Sequence, residues 1–261
     1  MPQFFIDRSL STESEIEIRG ADAKHISQVL RLAAGDWIML SDGGGKTFRA
    51  TILASAPRSV TARIDEEAPR CESRPSPSLA LALIKGDRFE WALQKCIELG
   101  CRRVIPFSSS RTVPQHRAEA GDRRLERWRR IAHEAAKQSG LPFRPEVDTT
   151  ATFEGLFTKG GGFGRTILFY EGETSNDIRS WWRSAPRTDY RGGDLLVIGP
   201  EGGFCADEIS FAAKSDAVTL GLGPQILRVE TAAVAALCLW QYELGNMRCG
   251  DEPRATPGRI G

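Results

Sequence analysis

Leu195-Leu196-Val197-Ile198-Gly199-Pro200-Glu201-Gly202-Gly203-Phe204 joins four consecutive apolar residues to a turn dominated by glycine. A strand that is apolar at every position, and not at alternate ones, is covered on both faces. That is the situation of a parallel sheet with helices on either side. In such sheets ligands bind beyond the carboxyl ends of the strands. The glycines therefore mark a candidate site as well as the end of a strand.

The same pattern recurs on both sides of this stretch. A strand over 166–170 runs into Phe169-Tyr170-Glu171-Gly172, and Val218-Thr219-Leu220 runs into Gly221-Leu222-Gly223-Pro224-Gln225-Ile226-Leu227-Arg228. An alanine-rich helix over 229–244 follows. Upstream, 79–84 is a second fully apolar strand and 104–107 a third. Between them, 88–99 places Phe89, Leu93, Cys96 and Ile97 on one helical stripe, and Gly100 supplies a left-handed stop. A basic helix is expected over 125–138, and a further helix carries Asp207-Glu208-Ile209. Alternation of strands and helices predicts an α/β domain with a mostly parallel sheet.

The first seventy residues have a different rhythm. Glu15-Ile16-Glu17-Ile18 alternates, Trp37 to Leu40 is a buried run, Asp42-Gly43-Gly44-Gly45 is a turn, and strands over 48–53 and 59–64 follow closely. Short strands at this spacing predict a small barrel. A short helix interrupts them over 23–30, with His25 packed or capping and Trp37 in the core. The expected organisation is a barrel over 1–70, a Pro- and Ser-rich linker over 71–78, an α/β domain over 79–245 and a tail over 246–261.

Bulk properties exclude several classes. The 261 residues carry 35 Lys+Arg against 34 Asp+Glu, so nucleic-acid contact must rest on a local patch. One candidate is the nine arginines between Arg102 and Arg130; the alternative is a solvated helix face. No apolar run has the length of a membrane span. The start lacks the basic-then-apolar order of a secretion signal, which points to the cytoplasm. Six cysteines contain no C-x-x-C pair and the three histidines lie apart from them, so no metal site is expected.

Common catalytic motifs fail on position. Gly45-Lys46-Thr47 has Leu40 where a phosphate loop needs glycine, and a strand follows it. His133-Glu134 is followed by Lys137, not by the second histidine of a metalloprotease. Gly160 to Gly164 precedes a strand, opposite to a dinucleotide fingerprint. No Gly-x-Ser-x-Gly elbow is present. What remains is three glycine-bearing loops, where a flat adenine could approach bare backbone and Ile226 and Leu227 could form an apolar wall. Glu201 is read either as a site residue or as a helix cap. Glu230 at a helix start is explained by the helix dipole alone. Arg228, a permanently charged fork between loop and helix, suits a phosphate or an anionic uracil edge.

Ile198-Gly-Pro-Glu-Gly-Gly203 together with Leu227-Arg-Val-Glu-Thr-Ala232 resembles the bacterial 16S ribosomal RNA uridine-N3 methyltransferases of the SPOUT class. His25-Ile-Ser-Gln-Val-Leu-Arg-Leu32 with Gly35-Asp36 is similar to that family's N-terminal signature, and Glu134-Ala135-Ala136 with Gln138-Ser139 to its middle helix. Gly140-Leu141-Pro142 departs from it, since the family often has Gly-Arg before the proline. The resemblance implies a PUA-like β-barrel followed by a SPOUT-type parallel sheet with a C-terminal trefoil knot, acting as a homodimer. It implies S-adenosylmethionine as cofactor and 16S rRNA of the small ribosomal subunit as partner, with no membrane and no metal.

The cofactor residues implied are Phe169, Tyr170 and Glu171 in the first loop; Ile198, Gly199, Pro200, Glu201, Gly202 and Gly203 in the second; Leu220, Gly221, Leu222, Gly223, Ile226, Leu227, Glu230, Thr231 and Ala232 in the third. Arg228 is the catalytic candidate. Arg31, Arg111, Arg123, Arg124, Arg127 and Arg130 are the RNA-binding candidates. Competing readings are the same fold acting on a ribose 2′-hydroxyl or guanine N1, a non-catalytic ribosome-assembly factor, and an adenine-nucleotide enzyme. The last is disfavoured by the failed fingerprints.

Overall fold

Alternating residues build the first of two sheets, and unbroken apolar runs build the second. The computed structural model describes residues 3–7, 10–68, 76–112, 118–158, 163–184 and 193–247. These fall into two compact units, one of residues 3–68 with 136–144 and the other of 76–135 with 145–247.

In the first unit β1 (Gln3–Phe5), β2 (Glu15–Arg19), β3 (Trp37–Ser41), β4 (Thr47–Ala56) and β5 (Ser59–Glu67) form a sheet in the order β1-β3-β4-β5-β2. All neighbours are antiparallel except β1 and β3. Phe4 of β1 and Ile16 of β2 enter one core with Ile38, Leu40, Phe48 and Ile64, so the sheet curls around a single centre. Two register shifts between β4 and β5 supply bends of the kind that bulges give. Among the described residues β1 and β2 do not pair, so no ladder closes the expected barrel. The Asp42 carboxylate accepts from the Gly44 and Lys46 amides and makes the predicted turn.

The short helix is broken differently from expectation. Residues Gly20–Lys24 (α1) are α-helical, but His25–Val29 continue as a π-helical turn. It ends on Arg31 in the left-handed region (φ 56°). Trp37, expected in the core, is only half-buried, beneath the Arg49 guanidinium.

Residues 136–144 were not expected in this unit. Gly140 (φ 70°) ends a helix there. Gln3 then donates to the Leu141 carbonyl, Ser41 to the Pro142 carbonyl, and the Arg144 amide to the Gly43 carbonyl. Lys137 pairs with Asp22 and Arg144 with Asp7, each at 2.6 Å. The Leu141-Pro142 departure from the family pattern thus falls where backbone, not side chain, makes the bonds.

The second unit contains β6 (Ser78–Ala82), β7 (Arg103–Ser108), β8 (Glu146–Val147), β9 (Ala151–Thr152), β10 (Arg165–Phe169), β11 (Asp194–Ile198) and β12 (Val218–Leu220). The order is β12-β10-β11-β6-β7-β8, with β9 also against β7, and every pair is parallel. β11 is buried along its whole length, as its unbroken apolar run requires. The helices are α2 (Arg88–Glu98), α3 (Ala118–Ser139), α4 (Ile178–Ser184), α5 (Ala206–Lys214) and α6 (Val229–Leu244). Phe89, Leu93, Cys96 and Ile97 of α2 are all buried, and Gly100 is left-handed (φ 90°).

One buried charge in this unit escaped the sequence reading. Asp194 receives two bonds from Arg165, at 2.7 and 2.9 Å, and one from the Trp240 indole at 2.8 Å. A carboxylate this deep is tolerated because its charge and lone pairs are matched. α6 closes with Gly245 left-handed (φ 81°) and Asn246 bonded back to Gln241. Most of the expected linker and tail, 71–75 and 248–261, lies outside the described residues.

Candidate active site

Parallel neighbours bring their carboxyl ends to one edge, and β12, β10 and β11 are adjacent. Phe169 is in register with both Ile198 and Leu220. The loops that follow enclose a cavity of about 530 Å³ counted together with the solvent at its open mouth. The first loop contributes Phe169, Tyr170 and Glu171; the second Ile198, Gly199, Pro200 and Gly203. The third contributes Leu222, Gly223, Gln225 and Leu227, with Val229 and Ala232 from the first turns of α6.

Two glycines are needed in these loops. Gly203 holds a left-handed backbone (φ 67°) that other residues rarely adopt, and a Cβ on Gly221 would run into the Glu173 carbonyl. The loop after β10 is held by Glu173, whose carboxylate accepts the Ser175 and Asn176 amides and stays below the usual carboxylate range as a result. The Gly221 amide donates to Asn176, tying the first loop to the third.

The second loop is clamped from outside. Glu201 does not cap α5: it pairs with Arg88 at 2.7 Å. The N-cap is Cys205, in a reciprocal box with Glu208. Arg111 donates to the Gly202 carbonyl at 2.7 Å. Glu201 and Gly202 accordingly do not line the cavity. Leu220, Gly221, Glu230 and Thr231 also stand outside the lining. Ile226, expected as a wall, is 89% exposed. Gln225 and Leu227 turn inward, and the side chain between them turns out. Gln225 and Val229 were missed, although helical spacing from Ala232 could have found Val229.

The lining is mostly apolar, with Glu171 its one charged group among the described residues. Such a set fits a flat, apolar-bodied ligand that also carries positive charge. Arg228 is the exposed N-cap of α6, without a side-chain cap bond. A cation there opposes the helix dipole. That local penalty is of the kind found at functional positions. Oε2 of Glu230, two residues on, is buried with no hydrogen-bond partner among the described residues.

The RNA-binding candidates divide. Arg127 pairs with Glu90 at 2.6 Å, Arg124 lies over the Trp128 ring at 5.0 Å, and Arg111 holds the second loop. Arg31, Arg123 and Arg130 are exposed. The described residues hold no group of three or more His, Cys, Asp or Glu able to bind a metal. No helix among them is long and apolar enough to cross a membrane.

Comparison with known proteins follows the same division. A family model described as RNA methyltransferase domain matches residues 72–241, and one described as RNA methyltransferase PUA domain matches 18–65. The ribosomal RNA small subunit methyltransferase E of Bacillus subtilis is 31% identical over 259 residues, covering 97% of this chain and 100% of that protein. The protein of the same name from Synechocystis is 32% identical over 226 residues, covering 86% and 72%. A crystal structure of ribosomal RNA small subunit methyltransferase E from Neisseria gonorrhoeae, bound to S-adenosyl methionine, matches with a TM-score of 0.81 at 27% identity. It covers 93% of this chain and 97% of that one.

Proposed function

The chain belongs to the RNA methyltransferase family that includes the ribosomal RNA small subunit methyltransferases E, and we propose that it methylates N3 of a uridine in 16S rRNA of the small ribosomal subunit. The observation that carries this reading is the cavity of three glycine-bearing loops with an exposed arginine, Arg228, at the start of the helix that completes it. S-adenosylmethionine, when bound, supplies a methyl already activated by its sulfonium.

The chain's own residues then have three tasks. Ile198, Leu222, Leu227 and Ala232 would hold the apolar body of the cofactor, and Glu171 would face its polar or cationic groups. Arg228 would stabilise the uracil as N3 loses its proton, since only the deprotonated nitrogen is a good nucleophile. Exposed arginines, Arg31 in one unit and Arg123 and Arg130 in the other, would meet RNA phosphates. The trefoil knot and the cytoplasmic setting are part of the same reading. Support for the knot is that β11, late in the chain, lies between β6 and β10.

We also propose a homodimer. Its support is the outer face of α6, where Leu239 is 48% and Tyr242 69% exposed on a helix apolar nearly all round.

The test is methyl transfer from labelled S-adenosylmethionine to small subunits lacking the modification, followed by digestion and mass analysis of the nucleosides. The expected product is 3-methyluridine. Another methylated nucleoside would move the acceptor atom, and cofactor binding without transfer would make the chain a non-catalytic RNA binder.

A further inference from the structure

A second cavity opens at the same edge of the α/β unit, on the other side of the loop over 199–205. It is the larger, about 850 Å³ counted to its mouth. Its walls are the ends of β7 and β9 and the first turns of α5. Glu208 builds it: this carboxylate is 6% exposed, and its two oxygens accept the Ser110 and Cys205 amides, each at 2.9 Å. One buried side chain thus pins two walls together and is used up in doing so.

What remains facing the space is a distinct chemistry. Ser109, Ser110 and Thr152 bring hydroxyls, and Glu154 and Asp207 bring exposed carboxylates. Phe211 brings an aromatic ring that is 37% exposed although it meets the Phe157 ring at 5.7 Å. Among the described residues no lysine, arginine or histidine lines the cavity. A phosphate would be repelled. A flat group that stacks on an aromatic ring and donates N–H bonds to carboxylates would be held. In RNA that describes a base with an exocyclic amine, and a carboxylate accepting from such an amine is an established form of base readout. Uracil, with no exocyclic amine, fits worse.

From this, and resting on the RNA methylation proposed above, we infer that the cavity lined by Ser109, Thr152, Glu154, Asp207 and Phe211 is a specificity subsite for an unpaired, amine-bearing nucleotide beside the target uridine. The loop over 199–205 serves both cavities: Gly199 and Gly203 line the first and Cys205 the second. A single strand that delivers one base to the cofactor cavity would place a neighbouring base in this one. Splaying of unstacked bases into separate pockets is the usual route to sequence-specific RNA recognition.

The test is the double variant Glu154→Gln, Asp207→Asn on small ribosomal subunits. Both side chains are exposed, and matching thermal unfolding midpoints would check that the fold is intact. The expected result is a kcat/KM at least ~10-fold below the parent, carried by KM, with the affinity for S-adenosylmethionine unchanged. A value within about twofold of the parent, or an equal loss of cofactor affinity, would overturn the assignment. A second arm titrates the chain with AMP, GMP, CMP and UMP while following the Ser109, Ser110 and Asp207 amide resonances. Shifts with AMP, GMP or CMP that exceed those with UMP, and vanish in the double variant, support the subsite; equal or absent shifts refute it. A parent chain that transfers no methyl would defeat the proposed function, and the nucleotide arm would still decide this one.

Discussion

Arg31 sits in a left-handed backbone conformation at the end of a helical run, a place where glycine is free of strain. Arg31→Gly should raise stability by about 1 kcal/mol in denaturant unfolding while weakening RNA binding. A variant that is both more stable and equally able to bind would remove Arg31 from the RNA surface. The buried thiols make the opposite kind of residue. Burial pushes Cys101 up to about 12 and Cys96 upward as well, from an ordinary value of 9.0. The folded chain therefore keeps both protons where the unfolded chain loses them, so these thiols favour folding below pH 9 and cease to do so as pH climbs toward 12. At pH 8, alkylation followed by peptide mass analysis should mark the half-exposed Cys205 and Cys238 and spare Cys96 and Cys101.

At the scale of elements, two arginines on α3 should behave unlike a third. Arg123→Glu and Arg130→Glu should weaken RNA binding and flatten its salt dependence, because exposed cations act by releasing counterions. Arg127→Ala should change the salt slope less, since its charge already meets Glu90. A larger slope change at Arg127, in filter binding across salt, would reverse that ranking. The loop over 199–205 should depend on Arg111: removing its bond to the Gly202 carbonyl should raise the cofactor Kd about 10-fold in calorimetric titration. An unchanged Kd would show that Arg88 and Cys205 hold the loop without it.

How far these elements were legible follows from how local their causes are. The α2 stripe, the Gly100 stop and the apolar run of β11 declare themselves through period and composition. The Arg111 clamp and the Glu201–Arg88 pair join residues distant in sequence, and no spacing rule reaches them.

At the scale of the whole molecule, the outer face of α6 is among the apolar surfaces of the described residues left uncovered, with Leu239 and Tyr242 exposed. Leu239→Glu with Tyr242→Glu should convert a dimer into a monomer in sedimentation analysis, and a parent chain that is already monomeric would dispose of the proposal. The cavity beyond β10, β11 and β12 was legible as three glycine-bearing loops, because parallel strands must deliver their carboxyl ends together. Which side chains turn inward was not: Ile226 points away while Gln225 faces in. The second cavity was invisible in sequence, since Ser109, Thr152 and Asp207 meet only through the sheet order.

Arg228, the N-cap of α6, is proposed to act on the uracil. The most direct test of this role is the single-turnover rate of methyl transfer by Arg228→Ala at saturating RNA and S-adenosylmethionine, with the cofactor Kd measured alongside. The expected rate is about 10²- to 10³-fold below the parent with the Kd unchanged, the size of effect seen when one charge-stabilising donor is removed. A parent-like rate would contradict it.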